Sequence, residues 1–224
     1  MSFSKPEQAM EQGDMGIFNA LFGKKEDPPI NMGDAVRPNI ETTLDPEQLA
    51  EEEAANKRAN AYMRETVTRC GYVKAGKLNE FFAMSDVFFS VEFHHINVEA
   101  HLNSGDALDI AEKKAFGLNT RKKYARWLIE LFEPSAFSKV DPKKWINDVS
   151  MAAWHKAHRE KNLARFKKIG IQHVKVLDCG DERDCKHAAL LAKKSYLIDA
   201  APELPHAKCD SAYCRCFYVP DTKV

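Results

Sequence analysis

Two aspartate–proline pairs are the features of this 224-residue sequence that most constrain its fold. Asp45 and Asp141 can each cap a helix with a carboxylate, and a proline suits the first helical position because its missing amide would have no helical partner there. The first pair predicts a helix to about Arg69, and the second predicts a longer helix to about Ile169, which Gly170 would end. The sequence therefore predicts a mostly helical chain.

The periodicity changes from helix to strand after Gly170. Residues 171–176 carry β-branched side chains that predict a strand, and residues 216–219 predict a last strand. A helix is expected within residues 181–196. The fold class is therefore α+β, mostly helical, with a helical N-terminal and middle part and a small C-terminal unit rich in cysteine and histidine. Residues 79–102 carry both helical and strand signals, and both types stay open.

Two shorter helices are predicted in the middle of the chain. The first runs from Asp109 to Phe116 and ends at Gly117. The second would be capped by Thr120 and would stop before Pro134. Their short spacing predicts a tight helical pair.

Composition divides the chain into three parts. Residues 1–43 are rich in Pro, Gly, Asn and acidic residues, which predicts a flexible arm. A helical region follows over 44–140, and the long helix with the cysteine-rich unit occupies 141–224. The apolar patch 17–22 has helical spacing, so it could dock into a partner's groove, touch a membrane surface or lie on its own domain.

The charges are balanced overall and unevenly distributed. The chain has 33 basic and 33 acidic residues, but residues 1–110 hold 10 basic against 19 acidic ones, and residues 111–170 hold 15 against 6. Such polarity can bind an anionic partner, or it can let acidic and basic parts of the chain, or of neighbouring copies, face each other. We favour the second interpretation.

The basic segment 111–170 also predicts contacts to nucleic acid that would be independent of base sequence. Aromatic residues are interleaved with its cations, and no base-reading motif accompanies them. The candidate contacts are Arg121, Lys122, Lys123, Arg126, Arg159, Arg165, Lys167 and Lys168.

Neither a membrane span nor a secretory signal is expected. The longest apolar stretches are interrupted by Asp86 and Glu92 and are too short to cross a bilayer. The N-terminus lacks a basic start followed by an apolar run. We therefore expect the cysteines to lie in a reducing compartment.

Five of the six cysteines fall in the final 46 residues, in two groups separated by 23 residues. Soft thiolates in a reducing compartment favour structural zinc over a disulfide, although unmetallated buried thiols and redox chemistry stay open. No acid stands at the position that a zinc deaminase motif requires, which favours a non-enzymatic role. The candidate ligands are Cys179, Cys185, Cys209, Cys214 and Cys216, with His187 and His206 as alternates.

Residues 150–220 resemble the C-terminal domain of the phage Mu F-like head-morphogenesis family, the minor capsid proteins. The likeness rests on the order of a long basic helix, a strand, an Asp-rich segment ending at Cys185, a Pro-His pair and a closing Cys-Arg-Cys. The family's second cysteine is replaced here by Ala188, so the resemblance implies that Cys179 or His187, with Cys209, completes the site. The quoted segments are 153–166, 170–171, 174–177, 180–185, 201–206 and 214–216.

The resemblance implies a minor structural protein of a phage or prophage head. Its partners would be portal or capsid proteins in an oligomeric assembly, with DNA as a further partner, and it would be found in the virion or the host cytoplasm. The alternative function is a sequence-independent nucleic-acid-binding or regulatory module that uses the basic segment 111–170.

Overall fold

A computed structural model describes residues 45–89, 98–180, 184–211 and 213–222. The predicted flexible arm and its apolar patch lie outside these residues. Within them the chain forms seven α-helices and a three-stranded sheet, which confirms the mostly helical α+β class. The elements are α1 (Pro46–Cys70), α2 (Leu78–Phe88), α3 (Val98–Leu102), α4 (Ile110–Ala115), α5 (Arg126–Glu130), α6 (Pro142–Lys168), β1 (His173–Leu177), α7 (Ala188–Leu191), β2 (Ser195–Leu197) and β3 (Phe217–Pro220).

Both predicted long helices begin as the aspartate–proline pairs indicate. The carboxylate of Asp45 accepts a hydrogen bond from the Gln48 amide at 2.8 Å. Asp141 accepts one from the Lys144 amide at 3.0 Å. Each bond satisfies an amide that has no helical acceptor in the first turn. Neither these two helices nor any other in the described part is long and apolar enough to cross a membrane.

The helices α1 and α6 pack against each other in antiparallel directions. Their contact uses buried apolar side chains that recur about every four residues, which places them on one face of each helix. Several are alanines, whose small side chains let the two backbones approach closely. The buried residues are Ala55, Ala59, Met63 and Val67 on α1, and Ile146, Val149, Ala153 and Ala157 on α6.

Opposite charges face each other along this helix pair. Glu47 pairs with Lys168, so the acidic start of α1 lies beside the basic end of α6. Further along the same helix pair, Glu52 of α1 pairs with Lys161 of α6. This arrangement also suits the helix dipoles, which favour acids at the first turn and bases at the last. In these two helices, acidic and basic parts of the same chain therefore face each other, as the favoured interpretation of the charge pattern predicts.

Aromatic rings fill the core that α1 and α6 share with the shorter helices. Phe132 is fully buried, with ring centroids 5.6 Å from Trp145 and 6.4 Å from Phe81. Tyr124 is also fully buried, and its hydroxyl donates to Asp141 at 2.6 Å. The acid that caps α6 therefore also anchors the loop that precedes α5.

The helix predicted to start at Thr120 begins later, at Arg126. The chain before it is held extended, because Ala125 forms a bridge with Ala107 and the Arg126 amide donates to the Asp106 carbonyl at 2.8 Å. These partners come from a segment some 20 residues earlier, so the local sequence pattern does not predict them. The neighbouring helix α4 begins as predicted, with a capping box between Asp109 and Glu112.

The C-terminal sheet has the order β2-β1-β3, with both pairings antiparallel. Val174, Val176 and Tyr218 point to its buried face. The sequence predicts a helix from Asp181 to Tyr196, and within the described residues 184–196 only α7 is α-helical. The chain at Tyr196 pairs with β1 instead. Strand pairing has replaced helical hydrogen bonds there.

The long helix α6 belongs to two buried clusters at once. Its first half contributes to the aromatic core, while Leu163 and Phe166 near its end pack against the C-terminal sheet. The domain boundary predicted at residue 141 therefore falls just before a helix whose side chains belong to both buried clusters.

Replacing Phe132 with alanine should lower the free energy of unfolding by about 3–5 kcal/mol, because the removed ring leaves a cavity among other aromatic rings. Urea unfolding followed by circular dichroism measures this loss. The matched control is Ile110→Ala, at a side chain that is 61% exposed, where a change within about 0.5 kcal/mol is expected. Equal losses for the two variants would contradict this assignment of the core.

Candidate metal centre

Four of the five predicted cysteine ligands meet in the C-terminal unit. Cys185 precedes α7, Cys209 follows the turn at His206, and Cys214 and Cys216 lie just before β3. Cys209 and Cys216 both donate hydrogen bonds to the sulfur of Cys214, and Cys209 is also hydrogen-bonded to Cys185. Residues from three separate segments thus bring four thiols into contact.

Main-chain amides point at two of these sulfurs. The Ser211 amide donates to Cys209, and the Cys216 amide donates to Cys214. In both cases the donor lies two residues after the cysteine. Such bonds favour the thiolate, which is the form that binds metals.

The environment separates the acidities of the thiols. The hydrogen bond from Cys216 is the main cause that lowers the pKa of Cys214 to about 6, and Arg159 lowers it further. Burial raises the pKa of Cys209 to about 11. The pKa of Cys216 is raised chiefly because its hydrogen bond to Cys214 favours the protonated form. Of these three thiols, Cys214 is therefore the most acidic.

A buried guanidinium lies directly beneath this cluster. Arg159 of α6 is 5% exposed. It donates to the carbonyls of Cys214 and Cys216 at 3.0 and 3.3 Å, and to that of Leu204 at 3.2 Å. No carboxylate of the described residues forms an ion pair with it. Burial lowers the pKa of Arg159, and the neighbouring Cys214 is the largest influence that opposes this shift.

A largely buried ion pair joins two of the cysteine-bearing segments. The Arg215 guanidinium lies 2.8 Å from the Asp184 carboxylate, and each side chain is 10% exposed. Asp184 immediately precedes Cys185, while Arg215 stands between Cys214 and Cys216. The pair therefore holds the first and last of these cysteine segments together.

The other predicted ligands are one cysteine and two histidines. Cys179 is exposed, and its sulfur lies 3.9 Å from the Arg215 carbonyl. The rings of His187 and His206 are 6.1 Å apart, and the Nδ1 atom of His206 accepts from the Lys208 amide at 3.2 Å.

The six cysteines are free thiols. Within the described ranges, no group of three or more His, Cys, Asp and Glu side chains is arranged to hold a metal ion. The sulfur contacts run from one cysteine to the next, as a chain of hydrogen bonds. Four cysteine sulfurs are the donor type and number that tetrahedral zinc takes. The residues therefore fit zinc by their chemistry, while their sulfur atoms are not arranged as a closed coordination shell.

No known protein family, curated protein or solved structure matches this chain.

The predicted nucleic-acid contacts do not form one continuous face. Arg159 is a correction: it is buried, so it is not available to a nucleic acid, because three carbonyls of the C-terminal unit hold it. Arg165 is exposed on α6, and residues 121–123 line a cavity. Three others form ion pairs within the chain: Arg126 with Asp106 and Glu112, Lys167 with Asp199, and Lys168 with Glu47 and Glu51.

Two roles at this site were missed by reasoning from sequence. Arg159 sits in a long run of basic residues on α6, and nothing in that pattern separates a buried arginine from a solvated one. The Asp184–Arg215 pair had a weak signal, because each residue adjoins a predicted ligand, but only the fold brings them together.

Replacing Arg159 with methionine should weaken the C-terminal unit by about 3 kcal/mol, because three buried carbonyls lose a charged donor. Hydrogen exchange measures this as faster exchange of the Val174 and Val176 amides, while Met63 and Val67 on α1 keep their protection. Arg165→Met is the matched control, since it removes the same charge from an exposed position of the same helix. Similar exchange in both variants would disprove the anchoring role.

Proposed function

We propose that this chain is a non-enzymatic structural protein of a phage or prophage head, and that a zinc ion stabilises its small C-terminal unit. The observation that carries the zinc proposal is the contact of Cys185, Cys209, Cys214 and Cys216 beside a buried arginine. The assembly role is supported by the resemblance of residues 150–220 to the Mu F-like minor capsid proteins.

Zinc accounts for the otherwise uncompensated charge of Arg159. Four thiolates around a divalent zinc ion carry a net charge of minus two, which a neighbouring guanidinium partly neutralises. Leaving a buried guanidinium without an opposing charge would cost several kcal/mol. The arginine therefore supplies part of the positive charge that such a thiolate set requires.

A metal also suits the size of this unit. Its sheet has strands of five, three and four residues, and its buried cluster is small and includes three of the cysteines themselves. A unit with so small a core usually needs a disulfide or a metal for stability. The energy of metal binding would then be part of its folding energy.

Protein purified without chelator should contain about one zinc ion per chain, because four cysteines complete one tetrahedral set. Elemental analysis measures the content. Chelator should speed hydrogen exchange over 171–222 and leave 45–169 unchanged, and Cys209→Ser should do the same. Cys70→Ser and Cys179→Ser are the matched controls, since both thiols are exposed. Metal-free wild-type protein, or a C-terminal unit unaffected by chelator, would exclude the zinc site.

The assembly role is tested by co-expression with the portal and major capsid proteins of the same genome. We expect the chain to co-sediment with portal or head-sized particles after nuclease treatment, which removes bridging DNA. A double variant, Cys209→Ser with Cys214→Ser, should be lost from the particles if the C-terminal unit makes the contact. Wild-type chain that stays at the top of the gradient beside intact particles would refute the proposal.

A further inference from the structure

A cavity of about 510 Å³ opens between the loop at residues 121–123, the end of α3 and the first turns of α6. It lies in the helical part of the chain, away from the cysteine cluster. Most of its described lining is cationic. The lining residues are Glu99, Leu102, Asn103, Arg121, Lys122, Lys123, Lys143, Lys144 and Asn147.

We infer that this cavity binds phosphate groups. The inference goes beyond the proposed assembly role and does not rest on it, because none of its residues belongs to the cysteine cluster. It is supported by five cationic side chains that come from two segments of the chain. Ion pairs within the chain neutralise only some of these cations.

Three of the cations already lie in ion pairs. Lys122 lies 2.9 Å from the Asp141 carboxylate, and Lys144 pairs with Asp148. Glu99 is the third nearby acid, 3.9 Å from the ammonium of Lys143. Five cations against three carboxylates leave the cavity with net positive charge. An anion is the ligand that such a potential attracts.

Two cations remain available to a ligand. Arg121 and Lys123 are exposed, and their side chains form no ion pair with any residue of the described part. Arg121 contributes only its amide to the fold, which donates to Asn119 at 3.0 Å, and Lys123 contributes its carbonyl. A guanidinium beside an ammonium is a common arrangement for binding phosphate oxygens.

Lys143 makes the cavity partly preorganised. Its side chain is only 13% exposed. The ammonium donates to the Asn103 side-chain oxygen at 2.6 Å and to the Lys123 carbonyl at 3.2 Å. This charge is therefore held in place before any ligand arrives, so binding does not have to order it.

The lining favours phosphate over bases. None of its described residues carries an aromatic ring, so a nucleobase finds no stacking platform there. Contacts to phosphate carry no sequence information. The same chemistry recognises a free pyrophosphate and the backbone of a nucleic-acid strand, and the experiment separates these two sources.

The test uses the full chain at low salt, with pyrophosphate followed by calorimetry and a short mixed-sequence DNA strand followed by fluorescence anisotropy. Arg121→Gln with Lys123→Gln should weaken the binding of both ligands by about tenfold or more, since two phosphate contacts are lost. The slope of log K for DNA binding against log salt concentration should become shallower by about 1.4, because each lost contact on a single strand changes it by roughly 0.7. The matched control is Lys193→Gln with Lys194→Gln, which removes the same charge from exposed positions of the C-terminal unit.

Each outcome is decisive. Binding of both ligands, with mutual competition and loss only in the first double variant, supports a phosphate site used by nucleic acid. Binding of pyrophosphate without DNA supports the site and assigns it to a free phosphate compound. DNA affinity that is equal in both double variants, displacement by polyglutamate as effective as by pyrophosphate, or no binding of either ligand would overturn the inference.

Discussion

The buried guanidinium of Arg159 connects the two halves of this protein. It extends from the long helix α6 into the C-terminal unit, where it donates to three main-chain carbonyls. Two of these belong to cysteines of the thiol cluster, so the position of the cluster depends on the helix. A charge this deeply buried is stable only where its surroundings compensate it. Arg159 therefore contributes to the packing of the C-terminal unit, to the lowered pKa of Cys214 and to the proposed zinc site.

The charge distribution has its first explanation inside the molecule. Acidic residues of α1 lie beside basic residues of α6, and most of the remaining cations predicted to contact nucleic acid have intramolecular partners. Individual surface pairs contribute little energy, but together they set the direction in which the two helices pack. Among the described residues, the exposed cations of this predicted set that form no ion pair are Arg121 and Lys123, beside the cavity that we infer to bind phosphate, and Arg165 on α6.

Prediction succeeded where the signal was local and failed where distant residues competed. Both long helices follow from a capping aspartate, a first-turn proline and a periodic apolar face within one stretch of chain. The helix expected from Thr120 was displaced to Arg126, because a segment near Asp106 holds the intervening backbone extended. The helix expected up to Tyr196 was shortened, because strand β1 offers that backbone antiparallel partners.

For the site, the sequence by itself determined the candidate donor atoms: five cysteines of the right chemical type, in two groups around an intervening segment, with two histidines as alternates. Only the tertiary structure decided that Cys179 is exposed, that Arg159 is buried beside Cys214 and Cys216, and that Asp184 and Arg215 join the cysteine segments. The physical reason is that donor chemistry belongs to the single residue. Burial and charge compensation depend on which distant segments meet, and spacing along the chain does not encode that.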